Sequence, residues 1–186
     1  SATSVYGDHK GEWVNEKSIL NPMTANGINR LSAEKLWLTL SVNKKIPLQV
    51  FRLSGIYSNE KNILVRLKSG NANIIKKENH FFSRIHVEDI SEILSISLNK
   101  FKPGEVYNIS DNYPCSNEEV VTYASELLKI NKPSKIKLDD LKNENLKDFY
   151  KVSKKVDNNK MKKFFNYNLK FSTYKEGLDN IINHII

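Results

Sequence analysis

Residues 81–98 read FFSRIHVEDISEILSISL, and the hydrophobic period changes inside them. Phe81 to Val87 is short and rich in aromatic and β-branched residues, the composition of a buried strand. From Glu88 onward the apolar residues fall at Ile90, Ile93, Leu94 and Leu98, the spacing of one helix face. Glu88 and Asp89 head that helix, where acidic side chains complement unpaired N–H groups and the positive end of the dipole. A strand running straight into a helix is the repeating unit of α/β folds.

The same unit recurs on both sides. Upstream, residues 8–29 read as a polar loop. From Leu31 a helical pattern places Ala33, Leu36, Trp37 and Leu40 on one face, and Pro47 closes it. Leu48 to Leu53 (LQVFRL) then reads as a buried strand ending in a turn at Ser54-Gly55. A short helix is expected around Ile63 to Leu67, with a turn at Gly70. Downstream, Pro103-Gly104 breaks the chain before a third strand, Val106 to Ile109. Ser116 and Glu119 have capping-box spacing ahead of Val120, Val121, Ala124, Leu127 and Leu128. The tail alternates loops with short helices. Strand–helix alternation predicts an α/β fold with a mainly parallel sheet.

Composition narrows the function. The chain has 186 residues, 39% apolar and 27% charged, which suits one domain with a packed core. A single cysteine, Cys115, rules out an internal disulfide and any Cys-cluster metal site. His86 finds no partners at metal-ligand spacing in His9, His80 or His184, so no metal is expected. No apolar run approaches the ~20 residues of a membrane span, and the expected location is the cytoplasm. The net charge of +8 comes from 25 Lys and only 4 Arg. Nucleic-acid readers lean on the planar Arg fork, so the surplus reads as solvated Lys faces and not as a nucleic-acid surface.

Six segments, in order, carry a resemblance: SATSVYG (1–7), NGINRLSAEK (26–35), VFRLSGIYS (50–58), FSRIHVEDI (82–90), GEVYNISDN (104–112) and TYKEGLDNI (173–181). Together they resemble the NAD(P)-dependent epimerase/dehydratase family, the extended short-chain dehydrogenases/reductases, and most closely their atypical branch. The likeness is to the C-terminal part of that family. Complete members open with a Gly-rich strand–turn–helix that holds the dinucleotide pyrophosphate. No G-x-G-x-x-G occurs among Gly7, Gly11, Gly27, Gly55, Gly70, Gly104 and Gly177. The resemblance therefore implies a truncated Rossmann-like fold lacking its N-terminal βαβ half, in one domain over 1–186. Segments 58–84 and 110–186 would contribute a small substrate-binding lobe.

The resemblance also implies a Ser or Thr, a Tyr and a Lys as the catalytic set. Those three positions fall on Ala2, Asn26 and Arg30, so the usual acid–base group is replaced and no catalytic residue is assigned. Thr3 and Tyr6 are the nearby substitutes; alternatively Thr3 serves the turn and Tyr6 packs. Arg30 keeps positive charge and either bonds a cofactor ribose or substrate oxygen, or stands in water at the helix start. Ser54, Gly55 and Ile56 fall where the family's backbone passes the nicotinamide. Arg66 and Arg84 lie in the substrate-lobe segments and offer forks for a phosphate or carboxylate; Arg84 has Glu88 and Asp89 as alternative partners. The expected cofactor is NAD or NADP in the intact parent, with none held by this fragment alone. The expected partners are a small, nucleotide-sugar type substrate and either the chain's own N-terminal half or a second copy. A non-catalytic sensor or interaction module of the same fold is the competing expectation.

Overall fold

The computed structural model describes residues 1–141 and 144–185, with side chains described for 1–141 and 146–183. A 3-10 turn over Thr3–Tyr6 leads to β1 (Trp13–Val14), α1 (Ala25–Lys44), β2 (Val50–Leu53) and β3 (Gly55–Tyr57). There follow α2 (Ile63–Lys68), β4 (Ile74–Lys76), β5 (Arg84–His86), α3 (Val87–Asn99), β6 (Val106–Ile109) and α4 (Asn117–Leu127). The chain closes with β7 (Lys135–Lys137), α5 (Glu144–Lys151), β8 (Lys155–Val156), α6 (Asn159–Phe165) and α7 (Tyr174–Ile185).

Every strand pair is parallel: β2 with β6, β3 with β5, β4 with β7 and β1 with β8. Ala2 bridges Leu53 in parallel, so β2 lies between the start of the chain and β6. At Ser54 the path changes partner. The Ser54 N–H donates to Ile109 O at 3.0 Å, while the next N–H, on Gly55, donates to Ser83 O at 3.1 Å. This splits the carboxyl end of β2 from that of β6, and such forks are where α/β folds open ligand crevices.

Two apolar cores flank the fork. One joins Tyr57, Leu64, Ile74, Val121, Leu178 and Ile181, drawn from α2, α4, α7 and the strands between. The other joins Ile85, Ile93, Tyr107, Ile109, Met161 and Phe165 under α3 and α6. The Phe164–Tyr174 aromatics thus pack internally, as their spacing suggests. Asp89 clamps the tail to α3, accepting from the Tyr167 hydroxyl and from the N–H groups of Lys170 and Phe171. His86 caps α3 by accepting from the Glu88 N–H at 3.2 Å. Asn108 ties β6 to its neighbours through Tyr6 and Asp157 O.

Some local expectations are corrected. The 8–29 segment contains β1, two residues long and therefore without a readable period. Helix α1 starts at Ala25, not Leu31, because Thr24 accepts the Gly27 N–H as its N-cap. Its apolar stripe faces outward: Leu36 is 71% exposed and Trp37 57%. The inward position belongs to Glu34, which grips Arg52 of β2 through Nη2–Oε1 at 2.6 Å and Nε–Oε2 at 3.2 Å. Arg52 also donates to the Tyr6 hydroxyl at 2.9 Å, and Tyr6 donates to Asn108 Oδ1 at 2.7 Å. A complementary buried charge selected the inner face of α1 over its hydrophobic stripe. Gly7 is required at the turn after Tyr6: its φ is +73° and a Cβ there would lie 1.7 Å from Asn21 O.

Candidate functional site

The fork after β2 opens into a cavity of about 420 Å³. Ala2, Thr3, Asn26, Ser54 and Gly55 line one side, so positions far apart in sequence converge at one strand end. Phe82, Phe149, Val152 and Lys154 line the other. Its size falls within the range of small-molecule sites. Ser54 Oγ is buried here without a hydrogen-bond partner. Beside it, Gly55 presents no side chain, and a Cβ there would stand 3.3 Å from Ser83 O. A hydroxyl with open capacity next to a bare backbone suits a flat polar ring. A depression of about 620 Å³ beside Glu105, Lys160 and Lys163 is larger, but it gathers none of the residues singled out from sequence.

The remaining sequence-derived residues lie outside this wall. Arg30, one turn beyond Asn26 on α1, is exposed. Ile56 is half-exposed on β3, past the cavity rim. Tyr6 is fully buried and spends its hydroxyl on Asn108 and Arg52; burial pushes that phenol's pKa up, against the opposing pull of Arg52. Arg66 is exposed and donates to Asn71 O, closing the end of α2. Arg84 is buried, with its guanidinium 3.5 Å from the Phe82 ring centre and a hydrogen bond to Cys115 Sγ at 2.9 Å. Neither Glu88 nor Asp89 pairs with Arg84. Glu88 instead meets Lys170, and Asp89 holds the 167–171 segment, so the Arg84 fork is committed inside the fold.

Sequence reasoning missed Lys154, Phe82 and Phe149. Phe82 and Phe149 meet edge to face at 5.1 Å, forming one wall. Lys154 is 8% exposed; burial pushes its ammonium down to about 8, with the Asp8 carboxylate pulling the other way. In the tract KVSKKV nothing distinguishes it from Lys151 or Lys155, because a lysine-rich chain hides one buried lysine among many solvated ones. His80, behind the same wall, is buried and pushed down to about 4 by desolvation and then by Lys77, so it is neutral at physiological pH. Among the described residues no group of His, Cys, Asp and Glu is arranged to hold a metal ion; the His184 side chain lies outside them.

Parallel strands, covering helices and a cleft at a forked strand end make a Rossmann-like α/β fold of the kind seen in the NAD-dependent epimerases and dehydratases. Comparison with known proteins agrees. A curated dTDP-D-glucose 4,6-dehydratase from Dictyostelium discoideum is 28% identical over 116 residues, covering 57% of this chain and 26% of that protein. A conserved protein of unknown function from Silicibacter pomeroyi superposes with a TM-score of 0.93 at 37% identity, covering 99% of this chain and 64% of that one. The UDP-glucuronic acid 4-epimerase of Bacillus cereus, solved with UDP-glucuronic acid and NAD, gives 0.79 at 19% identity, over 100% of this chain and 60% of that one. The chain thus spans about a quarter of the length of the curated relative and about 60% of the solved ones. No family model matches the sequence.

Proposed function

We propose that the chain is the substrate-binding portion of an NAD(P)-dependent epimerase/dehydratase-like protein acting in the cytoplasm on a nucleotide-linked sugar. The observation that carries this is the convergence of Ala2, Thr3, Asn26, Ser54 and Gly55 on one cavity at the fork of β2. Ser54 and Gly55 would face the nicotinamide end of the cofactor, whose part is to accept or return a hydride. The lobe built from 58–84 and 110–186 supplies the opposite wall through Phe82, Phe149 and Lys154. No Gly-rich turn opens a helix among the described residues, so the pyrophosphate would be held elsewhere in the parent. Calorimetric titration tests the reading. The full-length protein should bind NADH in the micromolar range, and the 186-residue chain alone no better than millimolar. Absence of NADH binding by the full-length protein would overturn the cofactor assignment, and micromolar binding by the isolated chain would overturn the partial-fold reading.

One observation favours a second reading, a non-catalytic sensor. With Ala2, Asn26 and Arg30 at the positions the resemblance makes catalytic, none of the three side chains is the phenol or ammonium that family uses to move the proton. Under that reading NADH binds but no nucleotide-sugar turns over.

The outward stripe of α1 supports the expected association. Ile28, Leu36, Trp37 and Leu40 leave an apolar strip along a 20-residue helix, a surface that invites coverage. We assign it to a second copy of the chain, since a two-fold axis would cover the strip of each copy with the same apolar strip of the other. Light scattering should report a dimer at micromolar concentration, and Trp37→Glu should shift it to monomer with the far-ultraviolet circular dichroism unchanged and the unfolding midpoint no longer dependent on protein concentration. A dimer unaffected by Trp37→Glu would remove α1 from the interface.

A further inference from the structure

One cationic side chain in the cleft makes no ion pair with any described residue, the Asp8 carboxylate acting on it only through space. Lys154 is more than nine-tenths buried, forms part of the cavity wall, and has no ion pair or side-chain hydrogen bond to any described residue. Its neighbours are all committed. Lys77 bonds Tyr150 O, Lys151 pairs with Asp148 at 2.7 Å, and the Lys155 ammonium sits 5.0 Å from the Phe81 ring centre. The carboxylates that face Lys154 are committed too. Asp148 lines the same cavity but is held by Lys151, and Asp8 accepts the N–H groups of Ser153 at 2.8 Å and Lys10 at 3.1 Å. His80 is neutral and bonded to Val152 O at 2.9 Å, and Lys77 adds positive charge.

A buried, unpaired charge is costly, so a fold that keeps one at a cavity wall gains when a ligand supplies the opposite charge. The surroundings specify that ligand further. Thr3, Ser4, Thr24 and Ser83 are hydroxyl residues of the cavity lining; Thr24 already accepts the Gly27 N–H and Ser83 the Val156 N–H, and each hydroxyl keeps a proton to donate to a polyhydroxylated ring. A lone ammonium carries one charge on three donors and lacks the planar fork of arginine, so it balances a single carboxylate better than the two charges of a diphosphate. Resting on the nucleotide-sugar reading above, we propose that Lys154 receives the carboxylate of an acidic sugar and selects it over the neutral sugar. At neutral pH the amine is protonated, since its value near 8 lies above the working range, and a bound carboxylate would raise it further.

Full-length protein titrated with UDP-glucuronic acid and with UDP-glucose tests this, together with the ¹³Cε signal of Lys154, assigned through Lys154→Met. The acidic ligand should bind at least about tenfold more tightly, as expected of a charge-assisted hydrogen bond in a dry site. Lys154→Met should abolish the preference, weakening UDP-glucuronic acid at least about tenfold more than UDP-glucose, and Lys154→Arg should retain part of it. Equal affinities in the parent, a preference that survives Lys154→Met, or equal loss for both ligands would overturn the carboxylate assignment and leave the nucleotide-sugar reading standing. A third arm uses free D-glucuronate. If neither nucleotide-sugar binds yet D-glucuronate shifts the Lys154 signal to higher pH, the carboxylate anchor stands and the nucleotide-sugar reading falls. If neither nucleotide-sugar binds and D-glucuronate also leaves that signal unmoved, both fall.

Discussion

Arg52→Met is expected to destabilise the fold by about 3–5 kcal/mol, the cost of leaving a buried ionised partner behind. Arg52 and Glu34 are 4% and 5% exposed, and their bidentate pair is the hub of a chain running on through Tyr6 to Asn108. That chain joins α1, β2, the Thr3–Tyr6 turn and β6, and the first three of these carry residues of the cavity wall. The double replacement Arg52→Met with Glu34→Leu should recover most of the loss, because removing both charges ends the desolvation penalty. Urea unfolding at constant slope is the measurement. A cost below about 1 kcal/mol for the single change, or no recovery in the double, would show the pair to be dispensable. The pH dependence has a definite sign. Burial alone would raise the Glu34 carboxyl, but the Arg52 hydrogen bonds and charge outweigh it and hold the group below its usual value. A depressed carboxyl contributes stability above its unfolded value and loses it as pH falls through the folded one. The parent should therefore weaken in that acid window, and Glu34→Gln should show less of that weakening.

This pair also marks where the sequence stops being legible. The α/β class, β6, α2 and the capped starts of α3 and α4 follow from patterns within about ten residues, because caps and hydrophobic periods are local. The inner face of α1 does not. Leu36, Trp37 and Leu40 make the better hydrophobic face, and only the distant Arg52 explains why Glu34 takes the inside. The same division runs through the site. Ala2, Asn26, Ser54 and Gly55 were readable because recurring motifs carry them. Lys154 was not, since its burial comes from Phe82 and Phe149 in separate segments and no local signal separates it from Lys155. Arg84 shows the reverse contrast between sequence and structure. An arginine in a lobe segment reads as a ligand grip, yet contacts with Phe82 and Cys115 enclose it.

Asp111→Asn is expected to stabilise the protein at pH 8 by about 2–4 kcal/mol and to do almost nothing at pH 4. Asp111 follows β6 and is 1% exposed; its Oδ1 accepts the Tyr113 N–H at 3.1 Å, and its Oδ2 has no partner. Burial pushes the carboxyl up to about 7, against that hydrogen bond and the Arg84 charge, which pull it down. The folded state therefore holds its proton to higher pH than the unfolded chain does. A raised value means the contribution is fully present below the unfolded pKa and is lost as pH rises through the folded one, here between about 4 and about 7. Three pKa units at 1.36 kcal/mol each set an upper bound of about 4 kcal/mol on the loss. Asparagine keeps the Oδ1 acceptor and the shape but cannot ionise, so it removes the loss without opening a cavity. Urea midpoints for both proteins at pH 4 and pH 8 decide the matter, and a gain of equal size at both would trace the effect to packing and not to the proton. Arg84 enters the same balance: it is the nearby cation that opposes the rise, so in an Arg84→Met background the gain from Asp111→Asn at pH 8 should be larger. Arg84, set against the Phe82 ring and bonded through Nη1 to Cys115, does not line the cavity after β2, and Lys154 is the buried cation that does among the described residues.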